Sequence, residues 1–201
     1  MWNYRKLTKL SISLIFLWIW FFLQSIPAMI ISSATFFLIL LEKYFKIKIP
    51  VSFSFIFIFF VILSLILWSK FNFYERFLWW DDLLHFLYWA WFAFIGFIII
   101  QYLSIKKNIE NEILLICLFS FCFSVAFGAI WEIYEFSVDS ILWFNMQRTN
   151  IWSWVTDTMH DIILETWAAL FTNISIYSYL KFWKSNWVSK LSQNFINLQK
   201  K

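Results

Sequence analysis

Long apolar stretches are the feature that most restricts what this chain can fold into. A helix that crosses a hydrocarbon layer needs roughly 17–25 residues, and we identify six segments of about this length, at about residues 8–24, 27–42, 51–69, 83–103, 112–137 and 158–180. Only 14% of the residues are charged, whereas about a quarter are charged in a typical soluble domain. We therefore predict an all-α, polytopic membrane bundle of six transmembrane helices.

The junction of the first two apolar segments, at Pro27, decides how often the chain crosses the membrane. Proline is tolerated in the first turn of a helix, so we predict that a new helix starts there. The alternative is one helix from Leu7 to Leu41, which is too long for a single unbroken span. The basic residues before the first segment also resemble a signal peptide. Its only small-residue site, near Ala34, lies inside a continuing apolar run, so we expect no cleavage.

The basic residues give the six helices an orientation. With both termini inside, all of the 16 Lys and Arg residues except Lys70, Arg76 and Arg148 lie in cytoplasmic segments. The positive-inside rule predicts this asymmetry, and a chain with five spans would lose it after the first loop. We therefore predict a multi-pass protein of the bacterial cytoplasmic membrane with its N and C termini inside.

Aromatic and aliphatic residues recur every four positions among lysines near the C terminus, at Trp183, Trp187, Leu191 and Phe195. This spacing predicts an interfacial amphipathic helix on the inner leaflet, attracted to anionic lipids. We accordingly predict a six-span transmembrane domain over residues 1–182 and a basic amphipathic tail over residues 183–201. Membrane lipids are the expected partners, and no nucleic-acid-binding motif is present.

Ionisable side chains at membrane depth usually face a cavity or a partner, because burying them in lipid is unfavourable. Four acids border loops and are expected to be solvated: Glu42, Glu75, Glu110 and Glu112. The other eight acids form three groups, which also contain both histidines: Asp81, Asp82 and His85; Glu132, Glu135 and Asp139; Asp157, His160, Asp161 and Glu165. With six spans, all three groups lie at the outer membrane face.

Helical spacing places each of these groups on one side of its helix. At about 100° per residue, the three acids of the fifth segment fall within about 60° and those of the sixth within about 80°. Gly128 and Ala168 continue these two faces, and small residues allow helices to approach closely. We expect the fourth, fifth and sixth helices to pack with their acidic faces together, with Glu165 deepest.

Carboxylates and imidazoles one helical turn apart are suitable ligands for a divalent metal ion. Helical bundles that bind two metals use Glu-x-x-His pairs for this purpose. We predict six metal ligands: His85, Glu132, Glu135, Asp157, His160 and Asp161. We predict six catalytic residues: Asp81, His85, Glu132, Glu135, Asp157 and Asp161.

Structural roles are the alternative for some of these residues. An acid at the start of a helix can cap it or complement its dipole, which applies to Asp81, Asp82 and Asp157. Asp139 is expected to be solvated. Either histidine taken alone, His85 or His160, is typical of a buried, hydrogen-bonded residue. A structural role fits poorly for the acids that lie past the first turn in apolar surroundings: Glu132, Asp161 and Glu165.

Three motifs resemble those of the YjdF-type bacterial membrane proteins and, more distantly, of VanZ-like proteins: Trp80-Asp81-Asp82-Leu83-Leu84-His85-Phe86, Glu132-Ile133-Tyr134-Glu135 and Asp157-Thr158-Met159-His160-Asp161. The resemblance covers about residues 70–172. In those families a basic residue follows the first Asp, where this chain has Asp82. The resemblance implies a membrane protein, and the VanZ-like group is associated with glycopeptide resistance at the cell envelope.

Three functions from different classes follow from these features. The first is metal-assisted chemistry on a lipid-linked or envelope substrate, at an outward-facing Asp/Glu/His site. The second is a proton- or cation-coupled transporter for a small solute, in which the same acids carry the ion. The near absence of helix-breaking Gly and Pro disfavours a transporter. The third is a non-catalytic lipid-binding or scaffolding protein in which the acids form a structural hydrogen-bond network.

Overall fold

The computed structural model describes residues 4–23, 26–67, 71, 73–107 and 112–200. This described part contains helices and no strand, which confirms the all-α prediction. Lys70, Glu110 and Lys201, which entered the predictions above, lie outside it. The helices are α1 (Tyr4–Leu23), α2 (Ile26–Phe45), α3 (Val51–Val61) with a π-helical turn at Ile62–Ile66, α4 (Phe73–Arg76), α5 (Trp79–Lys107), α6 (Ile113–Leu142), α7 (Trp154–Phe182) and α8 (Trp187–Lys200).

The chain divides into two compact units. One comprises Met1–Phe77 with Gln193–Lys201, and the other comprises Leu78–Ser192. The first unit contains α1 to α4, and the second contains α5 to α7. The division into a six-span domain and a tail is not tested by this result and stays a prediction.

In the first unit, α1 and α2 are two helices that pack against each other. They run antiparallel, because Lys9 near the start of α1 meets Glu42 near the end of α2, with 3.0 Å between Nζ and Oε1. The alternative of one helix from Leu7 to Leu41 is therefore wrong. One straight helix would not allow the two apolar faces to pack on each other. The chain therefore reverses direction between α1 and α2.

Glu42 is buried, so the expectation that it is solvated is wrong. Its Oε1 atom accepts a hydrogen bond of 2.6 Å from the backbone N–H of Ile49. Lys9 is fully buried, and its ammonium donates to the Ile49 carbonyl over 3.0 Å. The segment after α2 folds back over the carboxylate, and the buried charges of Glu42 and Lys9 compensate each other.

The C-terminal helix α8 begins at Trp187, so the prediction that Trp183 lies on its apolar face is wrong. Trp183 instead follows α7 with a left-handed backbone conformation (φ 54°), and it is 84% exposed. Trp187 packs on Phe94 in the second unit, with ring centroids 5.5 Å apart. Phe195 stacks on Phe53 in the first unit at 6.2 Å. An amphipathic helix is present, and its placement on a membrane surface stays a prediction.

In the second unit, α5, α6 and α7 each pack against the other two. Ser120 Oγ donates a hydrogen bond to the Ala93 carbonyl over 2.7 Å. One turn further along α6, Ser124 Oγ donates to the Trp89 carbonyl of α5 over 2.8 Å. The numbers rise along α6 as they fall along α5, so these two helices are antiparallel. Interhelical bonds of this kind are common between helices in membranes.

The polarity of α6 is the reverse of that in a water-soluble bundle. Its buried residues are mostly small or polar, namely Ile116, Ser120, Ser124, Gly128, Glu132 and Glu135. Its outer face carries large apolar side chains, such as Ile133, which is 63% exposed. In α7, likewise, Asp161 and Glu165 are buried while Ile163 and Trp167 are exposed. A soluble helix turns its apolar face inward, whereas lipid favours apolar residues outside and ionisable residues inside.

Among the described residues, two helices are long and apolar enough to cross a membrane, Trp79–Lys106 and Ile113–Leu142. Helix Val51–Ser64 is apolar but shorter. The number of spans and the orientation of the termini therefore stay predictions.

Candidate functional site

The three acidic groups meet at one end of the α5–α7 bundle, where α5 and α7 begin and α6 ends. Asp81 and Asp82 lie in the first turn of α5. Ser153 is the N-cap of α7, and its side chain accepts a hydrogen bond from the Thr156 N–H over 3.2 Å. Asp157 therefore lies in the first turn and does not cap the helix. Acids at these two helix starts face the positive ends of the helix dipoles.

His85 is the centre of the cluster and is buried. Its Nε2 atom lies 3.8 Å from Oδ1 of Asp81, one turn earlier on α5. Its Nδ1 atom lies 3.5 Å from Oε1 of Glu165 and 3.8 Å from Oδ1 of Asp161, both on α7. The two nitrogen atoms of this imidazole therefore lie close to carboxylates from two helices, α5 and α7.

Helix α6 supplies two further buried acids, Glu132 and Glu135. Glu135 Oε1 accepts a hydrogen bond of 2.9 Å from the indole N–H of Trp131. Both carboxylate oxygens of Glu132 and both of Glu165 have no hydrogen-bond partner among the described residues. Buried polar atoms are normally hydrogen-bonded, so four such oxygen atoms in one place need an explanation.

The ligand-capable atoms of the cluster fall into four overlapping triads, each with its atoms within 4.8 Å of one another. They are Asp81–His85–Asp161, His85–Glu132–Glu165, Glu132–Glu135–Asp161 and Asp82–His160–Asp161. Five of the six predicted metal ligands occur in these triads. Asp157 does not, although it is buried in the same region and its Oδ2 atom has no hydrogen-bond partner in the described structure.

His160 lies at the edge of the cluster. Its side chain is 55% exposed, and its Nδ1 atom is 3.4 Å from Oδ1 of Asp82, which is 39% exposed. This pair borders a pocket of about 100 Å³ that opens beside the cluster. The pocket lining comprises Asp81, Asp82, Arg148, Trp152, Thr156, Asp157 and His160. We call it the mouth pocket.

Asp139 holds the loop between α6 and α7, so the expectation that it is simply solvated is wrong. Its two carboxylate oxygens accept hydrogen bonds from the backbone N–H groups of Met146 and Gln147, over 2.7 and 2.9 Å. The Gln147 side chain in turn donates to Thr158 Oγ1 on α7 over 2.9 Å. These bonds fix the loop immediately before Arg148.

Arg148 is a site residue that the sequence reasoning missed. It is buried, with a left-handed backbone (φ 47°), and its Nη1 atom lies 3.5 Å from Oδ2 of Asp81. The same nitrogen donates to the Leu78 carbonyl over 3.3 Å. One signal was available, because Arg148 is the only basic residue between Lys107 and Lys181.

Glu165 belongs to the cluster, although the sequence predicts it only as the deepest acid of its helix and not as a metal ligand or catalytic residue. It is 1% exposed and contacts His85. Its carboxylate packs against Gly128 of α6 so closely that a Cβ at that glycine would overlap it. The absence of a side chain at Gly128 therefore makes the space that Glu165 occupies.

The cluster is strongly acidic for a buried region. Six carboxyl groups, those of Asp81, Glu132, Glu135, Asp157, Asp161 and Glu165, lie largely out of solvent with one arginine and one histidine among them. Buried charges need compensation by partners, protons or metal ions. Carboxylate oxygens with imidazole nitrogen suit divalent cations from magnesium to zinc and iron.

The sequence pattern of the DUF2238 family, described as a predicted membrane protein, matches residues 6–182 of this chain. An uncharacterized protein of Thermotoga maritima is 32% identical over 125 residues, which make up 62% of this chain and 61% of that relative. No solved structure matches the chain.

Proposed function

We propose that this chain, which belongs to the DUF2238 family of predicted membrane proteins, binds a divalent cation between α5, α6 and α7 and uses it in chemistry on a lipid-linked or envelope substrate. The proposed ligands are His85, Glu132 and Glu165, whose ligand atoms form one triad. Asp81, Asp157 and Arg148 stand at the substrate side, beside the mouth pocket.

The observation that carries the proposal is the set of buried carboxylate oxygens of Glu132 and Glu165, which have no hydrogen-bond partner in the described structure, although Glu165 Oε1 lies 3.5 Å from His85 Nδ1. Both residues lie in one triad with His85, and their ligand atoms are within 4.8 Å of one another. Ligands about 2.0–2.3 Å from one ion would have this mutual separation. A hydrogen-bond network would instead leave these oxygens paired, so a purely structural role accounts for them less well.

We also propose that the protein spans the membrane six times with both termini inside. The clustering of basic residues in the predicted inner segments supports this topology. The site then faces outward from the bacterial cytoplasmic membrane. An envelope substrate, which the resemblance to VanZ-like proteins suggests, would reach it there.

The mouth pocket supports substrate access to the cation. Its volume of about 100 Å³ is enough for a small polar group rather than a whole lipid. A bound cation would polarise an acyl or phosphoryl oxygen or a water molecule. Asp157 has a buried oxygen without a hydrogen-bond partner in the described structure and borders the pocket, so it is placed to accept a proton. Arg148 offers positive charge to an anionic substrate group on the same pocket wall.

Metal-dependent turnover tests the proposal. Protein stripped of metal is incubated with a lipid extract of bacterial membranes, with and without Mg²⁺ or Mn²⁺, and the lipids are compared by mass spectrometry. We expect a lipid to be converted only when metal is added, and Glu132→Gln to abolish the conversion. Glu112→Gln is the matched control, because Glu112 is an exposed acid that precedes the same helix.

Ion flux is the result that would replace this proposal with a transporter. Glu165 is the deepest acid of the cluster, and a carrier would move its ion or proton through it. If proteoliposomes show cation or proton flux that Glu165→Gln abolishes, and no lipid is converted, the enzyme proposal is refuted.

A further inference from the structure

We infer that the buried cluster holds two divalent cations that share Glu132 as a ligand. The inference rests on the proposed metal site and adds the number of ions and their arrangement. One ion is held by His85, Glu132 and Glu165, and the other by Glu132, Glu135 and Asp161. We call these positions the deep centre and the outer centre.

The grouping of ligand atoms separates the two centres. His85, Glu132 and Glu165 form one set of mutually close atoms, and Glu132, Glu135 and Asp161 form another. Among the described residues, no set contains both Glu165 and Glu135. All ligands of one ion must lie close to one another, so a single ion does not reach both of these carboxylates.

The helices place the two centres one above the other along the bundle. Glu165 follows Asp161 by four residues on α7, and Glu135 follows Glu132 by three residues on α6. Glu165 meets Gly128, whereas Asp161 meets Glu132 one turn along each helix, so α6 and α7 are antiparallel. Glu165 therefore lies inward, and Glu135 lies towards the end of the bundle with the mouth pocket. One helical turn advances about 5.4 Å, while paired ions in two-metal sites lie about 3.5–4 Å apart. One helical turn is therefore long enough to separate two ions by that distance.

Glu132 has the properties of a shared ligand. Both of its carboxylate oxygens are buried without a hydrogen-bond partner in the described structure, and it is 4% exposed. It is the residue common to the two triads. One oxygen is therefore available to each ion, as in helical bundles where glutamates from the core bind a pair of metals.

Charge balance favours two ions over one. The two triads contain four carboxylates, those of Glu132, Glu135, Asp161 and Glu165. They also contain His85, which would bind a metal as a neutral imidazole. Arg148 forms an ion pair with Asp81, which belongs to neither of these two triads. With all four carboxyl groups ionised, one divalent cation would leave two negative charges in the buried region, whereas two cations would neutralise all four.

Manganese provides a test in the full-length protein. Metal-free protein in detergent is loaded with Mn²⁺, the bound metal per chain is measured, and the electron paramagnetic resonance spectrum is recorded. We expect two Mn²⁺ per chain and the multiline spectrum of a coupled pair. Glu135→Gln and Glu165→Gln, which empty different centres, should each leave one Mn²⁺ per chain with the six-line spectrum of an isolated ion. Glu112→Gln should retain the coupled pair.

The outcomes separate this inference from the function on which it rests. One Mn²⁺ per chain with an isolated spectrum in the unmodified protein would overturn the pair and leave the metal-assisted function standing. Two ions without coupling would also overturn it, because they would not share Glu132. No bound Mn²⁺ would refute both. Folding of each variant is checked by its elution as a single species and by its helical circular dichroism.

Discussion

Replacing Gly128 by alanine should remove Glu165 from the metal site while leaving the bundle intact. A Cβ at Gly128 would lie 2.7 Å from Glu165 Cδ and would overlap Oε2. Comfortable contact between carbon atoms requires about 3.5–4.0 Å, so the carboxyl group must move by about 1 Å. The atoms that must move are the end of a flexible side chain, and the backbone of α7 can stay in place.

The free energy of unfolding without metal should change little. Forcing a side chain off its preferred rotamer costs about 0.5–1.5 kcal/mol, and alanine stabilises a helix interior by about 0.8–1.0 kcal/mol relative to glycine. These two effects nearly cancel. Metal affinity should nevertheless fall by about 10–100-fold, as when the support of a metal ligand is disturbed. Calorimetric titration of Mn²⁺ into metal-free protein measures this loss, and thermal unfolding in detergent measures stability.

Gly96 is the other glycine of the chain and provides the matched control. A Cβ there would lie 3.0 Å from Phe123 Cβ, in the packing of α5 against α6 and away from the acids. Overpacking of this kind costs about 1–3 kcal/mol, and the same helix-propensity gain of about 0.8–1.0 kcal/mol offsets only part of it. Gly96→Ala should therefore lower stability more than Gly128→Ala and leave metal affinity unchanged. Equal metal affinity in Gly128→Ala and the unmodified protein would refute the role assigned to Glu165.

Three further changes test other parts of the structure. Ser124→Ala removes an interhelical hydrogen bond and should lower unfolding stability by about 0.6–1.7 kcal/mol, measured by thermal unfolding, without loss of metal; an unchanged stability would contradict the bond. Asp139→Ala frees two backbone N–H groups of the loop at residues 143–153, so limited proteolysis should cut that loop faster than in the unmodified protein. Glu42→Gln leaves the buried ammonium of Lys9 without its ion pair and should destabilise by about 3–5 kcal/mol. The double change Lys9→Met with Glu42→Gln should recover part of that loss, and no recovery would argue against the pair.

Helix positions could be predicted from the sequence because the apolar segments are long and their boundaries are polar. The predicted fourth, fifth and sixth segments correspond to α5, α6 and α7, with ends displaced by several residues. Gly128 and Ala168 could be assigned to the packed faces because small residues stand in register with the acids. Both are buried where α6 and α7 meet the rest of the bundle.

The parts that could not be predicted depend on contacts made by loops and chain reversals. Arg148 reaches Asp81 because Asp139 fixes the loop before it. A hydrogen bond from a side chain to a loop backbone leaves no periodic pattern in the sequence. The burial of Glu42 depends on the return of the chain at Ile49. Hydropathy assigns this carboxylate to a helix end, where the usual expectation is solvation.

For the site residues, the positions could be predicted from the sequence and the chemical role could not. Helical phase predicted that the faces of the three helices that carry His85, Glu132 and Asp161 pack together. The structure places the three close together, with Glu165 beside His85. Their role as metal ligands stays a prediction, because position alone does not distinguish a bound cation from bound protons.

Elemental analysis of protein purified without chelators shows directly whether the buried cluster binds a divalent cation. We expect at least one divalent metal ion per chain in the unmodified protein and in Glu112→Gln, and loss of that metal in Glu132→Gln. Protein that carries no divalent metal, takes up none when Mn²⁺ is added in excess and gains no thermal stability from it would refute the proposed metal site.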